Sequence, residues 1–403
     1  MLNHSRKLLI VTPEFPPKQW GGLARTVLKV AVHASKIGFE THVACLTVSS
    51  ETVILLDENV QTESFQGITV HNIIAGKERI LDNGRDIWDC PHNLSLQMMF
   101  QSLEFLDMRE DYDIFQSFFL YPVGYITGLL ATKRGKPMIS CVVGNDVNRY
   151  FFSPEKVAVC KSALENSHFV VGLSNDLIQL ANSLSPILQK SGVIYNSVEI
   201  PEVSWNPSSE AGEPFKIGCA GIFKYAKGLP YLLKAVATLS QSWNVMLELR
   251  GQLRDSEKDI FYEMLTRTGL QHLVVLLDPL PHEEIPRWLS GLDIFVLPSI
   301  TEGCPNILME ALAAGVPTVA TRVGAVCELI EDGISGILTP PGDSAALAKA
   351  IERLLSDPNL MGNLSGSGRE RMRKFNLNLE RSKWEKVYRK FADIELFKQN
   401  QDK

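Results

Sequence analysis

Hydrophobic and polar positions alternate along this chain in a pattern typical of buried strands followed by amphipathic helices. Each apolar run is long enough for one strand, and it precedes a segment in which apolar residues recur at helical spacing. Both halves of the chain open with strand, helix and strand, at 7–12, 23–36 and 43–46 in the first half and at 216–220, 230–239 and 245–249 in the second. Strands that alternate with helices form parallel sheets, so the pattern predicts an α/β protein.

The segment 201–214 separates the two halves. It is rich in Pro, Ser, Gly and Glu and lacks apolar periodicity, which indicates a surface connection between domains. A chain of 403 residues is also long enough for two ordinary domains. We therefore predict an N-terminal domain at 1–200, a C-terminal domain at 201–380 and a final helix at 381–403.

The final helix is amphipathic. Its apolar positions recur at helical spacing and are Trp384, Val387, Tyr388, Phe391 and Ile394. One interpretation is that this apolar face packs back on the N-terminal domain. Another is that the basic residues of the helix touch anionic lipid, although interspersed acidic residues favour an ordinary solvated face.

Composition narrows the class of protein. The chain is 45% hydrophobic and 21% charged, and no apolar run approaches the roughly 20 residues that a membrane span needs. The seven cysteines are scattered without a C-x-x-C pair, which predicts a cytoplasmic protein and leaves contact with the inner membrane surface open. A net charge of −6 without long basic runs argues against a nucleic-acid partner, and the scattered histidines predict neither a metal site nor a cofactor.

Glu302 and Glu310 flank the start of a predicted helix. An apolar strand at 293–299 comes before Glu302, Pro305 suits the first helical position, and Gly315 ends the helix. The free N–H groups of such a helix start carry the positive end of the helix dipole and can face a diphosphate. The loop between this strand and this helix is therefore the first candidate for a ligand site.

Glu310 lies in an apolar stretch, between the segments 307–309 and 311–314. A buried carboxylate at this position needs hydrogen-bonding partners, and the vicinal hydroxyl groups of a ribose would supply them. Asn306 precedes Glu310 by one turn on the same face. The alternative is a solvated glutamate on an ordinary amphipathic helix.

The stretch from Glu302 to Ile330, EGCPNILMEALAAGVPTVATRVGAVCELI, resembles the donor-binding signature of retaining glycosyltransferases of the GT-B fold, in glycosyltransferase family 4. The segments 194–198, 295–299 and 340–343 match further motifs of that family. The resemblance implies a GT-B fold, in which two Rossmann-like domains with parallel sheets face an interdomain cleft. The N-terminal domain is then the acceptor side and the C-terminal domain binds the donor.

The resemblance also implies an activity, namely metal-independent transfer of a hexose with retention of anomeric configuration, as part of carbohydrate biosynthesis. The donor is a nucleoside diphosphate sugar, with UDP slightly favoured over GDP, and the hydroxyl acceptor is a sugar, a lipid-linked group or a small molecule that the sequence does not identify. Two alternatives stay open: a catalytically degenerate nucleotide-sugar-binding protein, and a GT-B nucleotide-sugar epimerase.

Residue by residue, the resemblance implies that Glu310 binds the ribose hydroxyls and that Glu302 contacts the donor sugar near its reacting carbon. Lys227 matches the lysine that neutralises the diphosphate, and Gly21-Gly22 matches the glycine pair whose backbone approaches it. Backbone groups that hold the sugar and phosphates belong to Gly303, Cys304, Pro305, Asn306, Ile307 and Leu308. The alternatives are a surface lysine for Lys227 and a plain loop turn for the two glycines.

Two positions depart from the family's pattern. Ile222 occupies the place of an arginine, and Lys224 is our candidate substitute because a flexible ammonium group can reach a phosphate. Val143 occupies the place of a histidine near the transferred sugar, which excludes a histidine-assisted mechanism at that position.

Polar residues follow Val143 on the predicted acceptor side. Gly144 and Asn145 are expected near the acceptor, and Asp146 is a candidate to orient or deprotonate the acceptor hydroxyl. The alternative is that Gly144, Asn145 and Asp146 only form a turn after a buried strand.

Overall fold

The computed structural model describes residues 6–49, 58–76, 93–206 and 212–391. These residues form two compact units. The first comprises the described residues up to Ile194 together with those from Arg381 onward, and the second is Tyr195–Glu380. The sequence placed the boundary at 200/201, a few residues later. The shift follows from hydrogen bonds of the segment 195–198 within the second unit, such as that from the Val198 N–H to the Phe375 carbonyl, 2.9 Å long.

The first unit is built on an eight-stranded sheet in the order β3-β4-β2-β1-β5-β6-β7-β8. Its strands are β1 Lys7–Thr12, β2 Glu40–Val48, β3 Val60–Phe65, β4 Ile68–Ala75, β5 Ile114–Phe118, β6 Met138–Val142, β7 Phe169–Gly172 and β8 Ser191–Val193. All described pairings in this sheet are parallel except that of β3 with β4. Gln66 and Gly67, with φ of 50° and 79°, form the two-residue turn of this hairpin.

Helices cover both faces of this sheet. They are α1 Gly22–Lys36, α2 Asn93–Glu110, α3 Tyr125–Arg134, α4 Asn145–Asn148, α5 Pro154–Glu165 and α6 Asn175–Leu184. Leu8 and Ile10 pack in one buried cluster with residues of α1, whereas Leu9 and Val11 pack in another with residues of α2 and α3. Successive β1 side chains are all buried because each face of the parallel sheet has its own helical layer.

The second unit has a six-stranded parallel sheet in the order β11-β10-β9-β12-β13-β14. Its strands are β9 Phe215–Phe223, β10 Val245–Leu253, β11 Val274–Leu277, β12 Ile294–Leu297, β13 Thr318–Thr321 and β14 Ile337–Thr339. Its helices are α7 Leu229–Leu239, α8 Asp255–Thr268, α9 Ile285–Ser290, α10 Asn306–Ala314, α11 Val326–Leu329, α12 Ser344–Leu355 and α13 Pro358–Met372. The prediction of two α/β units with parallel sheets is confirmed, apart from the antiparallel edge strand β3.

The strand order of the second sheet reverses at β9. From β9 the chain continues through β10 to β11 on one side and then returns to β12 on the other. Ligands of open α/β sheets bind beyond the carboxyl ends of the strands at such a reversal. The loops that follow β9 and β12 are therefore the positions in this unit where the fold favours a site.

The last helix, α14, spans Leu377–Arg389, and therefore begins earlier than the 381–403 segment predicted from sequence. Its apolar face belongs to the core of the first unit through Trp384, Val387 and Tyr388, together with Phe391 just beyond the helix. The Tyr388 hydroxyl also donates a 2.7 Å hydrogen bond to Oε1 of buried Gln116. The apolar face therefore packs against the first unit, and contact of the basic residues of the helix with lipid stays a prediction. The predicted apolar position 394 lies outside the described residues.

Across the described ranges, no helix is both long enough and apolar enough to cross a bilayer.

Candidate functional site

Two loops lie against each other at the reversal point of the second sheet. The Ile300 N–H, after β12, donates a 2.8 Å hydrogen bond to the carbonyl of Ala226, after β9. Gly228 is in the left-handed region, with φ of 70°, and a Cβ there would lie 1.8 Å from the Pro298 carbonyl oxygen. Only glycine permits this approach of the two backbones.

These loops bring Lys227 and Glu302 together. Lys227 Nζ lies 2.7 Å from Glu302 Oε1, and the two side chains are 22% and 9% exposed. The Ser299 hydroxyl donates to the same carboxylate oxygen. Charge-assisted hydrogen bonds of this kind are short and strong, so the carboxylate is fixed and the ammonium group is oriented. Ser299 was not identified from the sequence.

We call residues 302–306, from Glu302 to the first residue of α10, the donor loop, because they belong to the stretch that resembles a donor-binding signature. Residues after β13 hold its first two carbonyl groups. The Ala325 N–H donates a 2.9 Å hydrogen bond to the Gly303 carbonyl. Gly324, with φ of 48°, lies so close to the loop that a Cβ there would be 2.2 Å from the Glu302 carbonyl oxygen. The loop backbone is therefore fixed by neighbouring backbone as well as by its own sequence.

The donor loop ends at the start of α10. Pro305 is the N-cap, with an extended ψ of 107°, instead of the first helical residue that the sequence predicted. Proline fits there because the N-cap needs no helical N–H donor. Among the described residues no side chain caps this helix, and its first turn contains no acidic residue. Gly315 ends α10 in the left-handed conformation, as predicted. The amino end of α10 therefore has the character of an anion site.

Glu310 lies one turn further along α10. Its side chain is 12% exposed, and the adjacent residues Met309 and Ala311 are fully buried. Nδ1 of His282, in the turn after β11, lies 3.7 Å from Glu310 Oε1. The apolar sequence around Glu310 correctly indicated a mostly buried carboxylate. The neighbouring imidazole was not foreseen, because it comes from a distant loop.

The other residues predicted to hold the donor lie in the donor loop and in the first turn of α10, and they differ in how exposed they are. Leu308 is fully buried and Cys304 is 9% exposed, whereas Asn306 and Ile307 are partly exposed. Leu308 therefore belongs to the core, its N–H donates a 3.2 Å hydrogen bond to the Pro305 carbonyl, and its predicted contact with the donor stays a prediction. Buried Asn196 contacts this loop through its amide, a role that the sequence did not reveal although its motif, 194–198, was recognised.

Lys224 and Ile222 lie just before Lys227. Ile222, at the place of the family's arginine, is 50% exposed. Lys224 borders a shallow surface groove between α7 and α8, together with apolar residues such as Leu233 and Phe261. Substitution of Lys224 for the arginine stays a prediction.

In the first unit, Gly21 is the N-cap of α1 and Gly22 is its first residue, one position earlier than the predicted start at Leu23. Within the described part of the chain, no side chain caps α1, and the first turn of this helix has no acidic residue. A Cβ at Gly21 would lie 2.7 Å from Oε2 of Glu14. The glycine pair thus leads directly into a 15-residue helix, which is the position from which backbone N–H groups can face an anion.

The predicted acceptor-side residues follow β6. Gly144 has a φ of 133°, and Asn145 begins α4. Asp146 is fully buried, and its carboxylate accepts hydrogen bonds from the N–H groups of Gly144, at 2.8 Å, and Val143, at 3.2 Å. Burial raises the pKa of Asp146 to about 6, although these N–H groups act in the opposite direction. The carboxylate therefore closes the loop on itself, as in the turn interpretation.

A cluster with atoms able to bind metal lies near the amino ends of β1 and β2, on Glu40, His42 and Glu110. Lys7 Nζ lies 3.0 Å from Glu110 and 3.5 Å from Glu40, so a protein cation already balances these carboxylates. Metal independence of the chemistry stays a prediction.

Part of the second unit, including these residues, is similar to a known family. Residues 214–357 match the family described as Glycosyl transferases group 1, a range that contains Lys227, Glu302 and Glu310. The amylovoran biosynthesis glycosyltransferase AmsK of Erwinia amylovora is 46% identical over 155 residues, which cover 35% of this chain and 36% of that protein.

Solved structures extend the likeness to nearly the whole chain. Sucrose-phosphate synthase of Thermosynechococcus elongatus matches with a TM-score of 0.76 and 19% identity, covering 96% of this chain and 98% of that one. Anabaena HepE, solved in complex with UDP and glucose, matches with a TM-score of 0.73 and 18% identity, covering 96% and 100%. The chain therefore has the GT-B fold, and the family match supports a glycosyltransferase.

Proposed function

We propose that this protein is a glycosyltransferase that moves a hexose from a UDP-sugar to an acceptor hydroxyl with retention of anomeric configuration, as in glycosyltransferase family 4. The observation that carries the proposal is the ion pair of Lys227 with Glu302 beside the amino end of α10. A partly buried cation and a helix start without an acidic residue suit a leaving diphosphate. The match of 214–357 to Glycosyl transferases group 1 supports the same conclusion.

In this proposal the second unit binds the donor. The diphosphate takes the N–H groups of the donor loop and the first turn of α10, and Lys227 balances its charge. Glu310 accepts hydrogen bonds from the ribose hydroxyls, which replace water around a carboxylate that is only 12% exposed. Glu302, fixed by Lys227 and Ser299, contacts the hexose near its reacting carbon.

The glycosyl bond to the diphosphate breaks as the acceptor oxygen bonds to the same face of the anomeric carbon. The acceptor proton passes to an oxygen of the departing phosphate. Negative charge grows on the diphosphate in the transition state, so a preorganised ammonium and N–H groups stabilise that state more than the bound donor. Asp146 acts here as a positioning residue for its loop, since both carboxylate oxygens face backbone N–H groups.

UDP is favoured over GDP for one added reason. HepE, whose fold this chain shares, was solved with UDP and glucose and with UDP-glucose. The acceptor is a hydroxyl compound, and we assign it no narrower identity. We further propose that the enzyme acts in the cytoplasm without a metal ion.

A second candidate is a protein that binds the donor without turnover. Exposed Ile222 and partly buried Val143, at the places of the family's arginine and histidine, favour it. The two functions differ in one product, because only a transferase releases UDP steadily from a UDP-sugar and an acceptor.

The test uses purified full-length protein and a panel of UDP-, GDP- and ADP-sugars. Calorimetry measures binding, and a nucleotide-release assay with a library of sugar and lipid-linked acceptors measures turnover. We expect binding of at least one UDP-sugar and acceptor-dependent release of UDP. Binding to none of the donors would refute the proposed function, binding without release would favour the second candidate, and a changed sugar without acceptor would indicate an epimerase.

A further inference from the structure

Asn196 holds the donor loop from the segment that opens the second unit. Its Nδ2 donates a 3.3 Å hydrogen bond to the Cys304 carbonyl and a 2.8 Å hydrogen bond to Oδ1 of Asn306. The residue is only 3% exposed, so water does not replace these bonds easily. Cys304 and Asn306 lie on either side of Pro305, the N-cap of α10.

The chemistry of the contact requires an amide. A backbone carbonyl only accepts hydrogen bonds, so the NH₂ group of Asn196 must face Cys304. The same NH₂ group then supplies the second hydrogen to the side-chain oxygen of Asn306. An aspartate of equal size would place an oxygen against the Cys304 carbonyl, and burial would leave that repulsion poorly screened.

This contact completes a series along the donor loop. Gly324 packs against the Glu302 carbonyl, and the Ala325 N–H donates to the Gly303 carbonyl. The Asn196 amide donates to the third carbonyl, that of Cys304. Residues outside the loop thereby contact three successive carbonyl groups of its backbone. Each peptide unit is planar and rigid, so a contact that fixes its carbonyl group also fixes the direction of the N–H group in the same unit.

We propose that Asn196 is a positioning residue for nucleotide-sugar binding, which fixes the donor loop and the first turn of α10 before the donor arrives. The inference deepens the proposed function and rests on it. A preorganised loop binds more tightly because the cost of ordering it is met in folding. Loss of the amide should therefore weaken the donor complex and leave the rest of the unit folded.

The test compares Asn196→Asp and Asn196→Ala with Tyr195→Phe as the matched control. Tyr195 belongs to the same segment, and its hydroxyl donates its hydrogen to Oε2 of Glu328, in α11. The control therefore removes one hydrogen bond of the segment while the loop contact stays intact. Circular dichroism and thermal melting confirm that each variant is folded.

We expect the Kd for UDP-glucose to rise about tenfold for Asn196→Ala and further for Asn196→Asp, since the aspartate adds repulsion to the lost bonds. Tyr195→Phe should stay within about twofold of the wild type. In turnover, the KM for donor should rise more than kcat falls, because chemistry still uses Lys227 and Glu302. A purely structural role would lower thermal stability and leave the KM of the folded fraction unchanged.

Hydrogen exchange of the segment 303–308, measured without any ligand, gives a readout that does not depend on activity. We expect faster exchange in both Asn196 variants and wild-type exchange in Tyr195→Phe. Should Asn196→Asp fail to fold, Asn196→Ala decides. Unchanged donor affinity and unchanged exchange in a folded variant would overturn the inference, whereas a wild-type protein that binds no nucleotide sugar would overturn the proposed function instead.

Discussion

Lys227 Nζ and Glu302 Oε1 lie 2.7 Å apart although 75 positions separate them in the chain. The pair forms because Gly228 lets the loop after β9 approach the loop after β12. In the proposed reaction the ammonium group is thus held next to the scissile bond before the donor binds. A lysine that is ordered in advance loses little side-chain freedom when the diphosphate arrives.

Replacement of Lys227 tests its role in stabilising the leaving group. Lys227→Ala should lower kcat/KM for a UDP-sugar by about 100-fold or more, because it removes a preorganised cation and the charge that balances the Glu302 carboxylate. Lys227→Arg should restore only part of the rate, since a guanidinium does not reproduce the point charge of an ammonium. Steady-state kinetics with the best donor measures both.

Lys224→Ala is the matched control on the same loop, and it also tests whether this lysine substitutes for the missing arginine. If Lys224 contacts a phosphate, its removal should weaken donor binding several-fold. Unchanged donor affinity in Lys224→Ala, beside a clear loss in Lys227→Ala, would withdraw that role. Equal small effects of both substitutions would instead contradict the role of Lys227.

Removal of the Glu310 carboxylate should abolish measurable donor binding if it holds the ribose. We expect Glu310→Ala to raise the Kd for UDP by 100-fold or more, because two charge-assisted hydrogen bonds are lost, each contributing about 1.5–3 kcal/mol. Calorimetry with UDP and 2′-deoxy-UDP sharpens the test. The wild type should discriminate between the two nucleotides, and Glu310→Gln should discriminate less.

Exposed Glu352, on α12, provides the control for this experiment. Glu352→Ala should bind UDP as the wild type does. Retention of full UDP affinity by Glu310→Ala would contradict the proposed ribose contact. His282→Gln adds a further comparison, and we expect an effect smaller than that of Glu310→Gln because the imidazole is 55% exposed.

His71 should make the stability of the first unit depend on pH. The residue is fully buried, with Nε2 3.0 Å from His42 Nδ1 and Nδ1 2.9 Å from the Thr62 hydroxyl. Burial, with a contribution from His42, lowers the pKa of His71 from 6.5 to about 4. Below pH 6.5 the unfolded chain binds a proton that the folded protein excludes until about pH 4.

The contribution of neutral His71 is therefore complete above pH 6.5 and is lost as the pH falls through this window, by up to about 3 kcal/mol. Urea unfolding between pH 7.5 and 4.5 measures the slope. His71→Gln, which does not titrate, should flatten it, and His272→Gln, at an exposed position, should not. Equal slopes in the wild type and in His71→Gln would contradict this account.

The variant Asp146→Asn distinguishes two roles of Asp146, namely closure of its own loop and removal of the acceptor proton. The amide NH₂ of asparagine would face the N–H groups of Val143 or Gly144, so we expect the free energy of unfolding to fall by about 1–3 kcal/mol. The kcat of the folded fraction should change little. A large fall in kcat with unchanged stability would instead identify Asp146 as the general base. Asp176→Asn, at an exposed position in the same unit, is the control.

Local sequence signals predicted what depends on neighbours along the chain. Alternating strands and helices, the end of α10 at Gly315 and the burial of Glu310 all follow from periodicity and from glycine or apolar neighbours. The antiparallel strand β3 was missed because its residues are mostly polar and exposed, as on an edge strand. Asn196 and His282 contact α10 from segments that are distant in the sequence. Periodic patterns reflect only neighbours along the chain, so they could not predict these contacts.

The burial of Trp384 and Tyr388 has a consequence for biosynthesis. Residues near the carboxyl end of the chain fill part of the core of the amino-terminal unit. During translation that core stays incomplete until residues 384–391 have been synthesised, whereas Tyr195–Glu380 is synthesised before them as one continuous stretch. The core of the first unit is therefore completed only after the second unit has been synthesised, and a chain truncated before Trp384 would leave a hydrophobic face of the first unit uncovered.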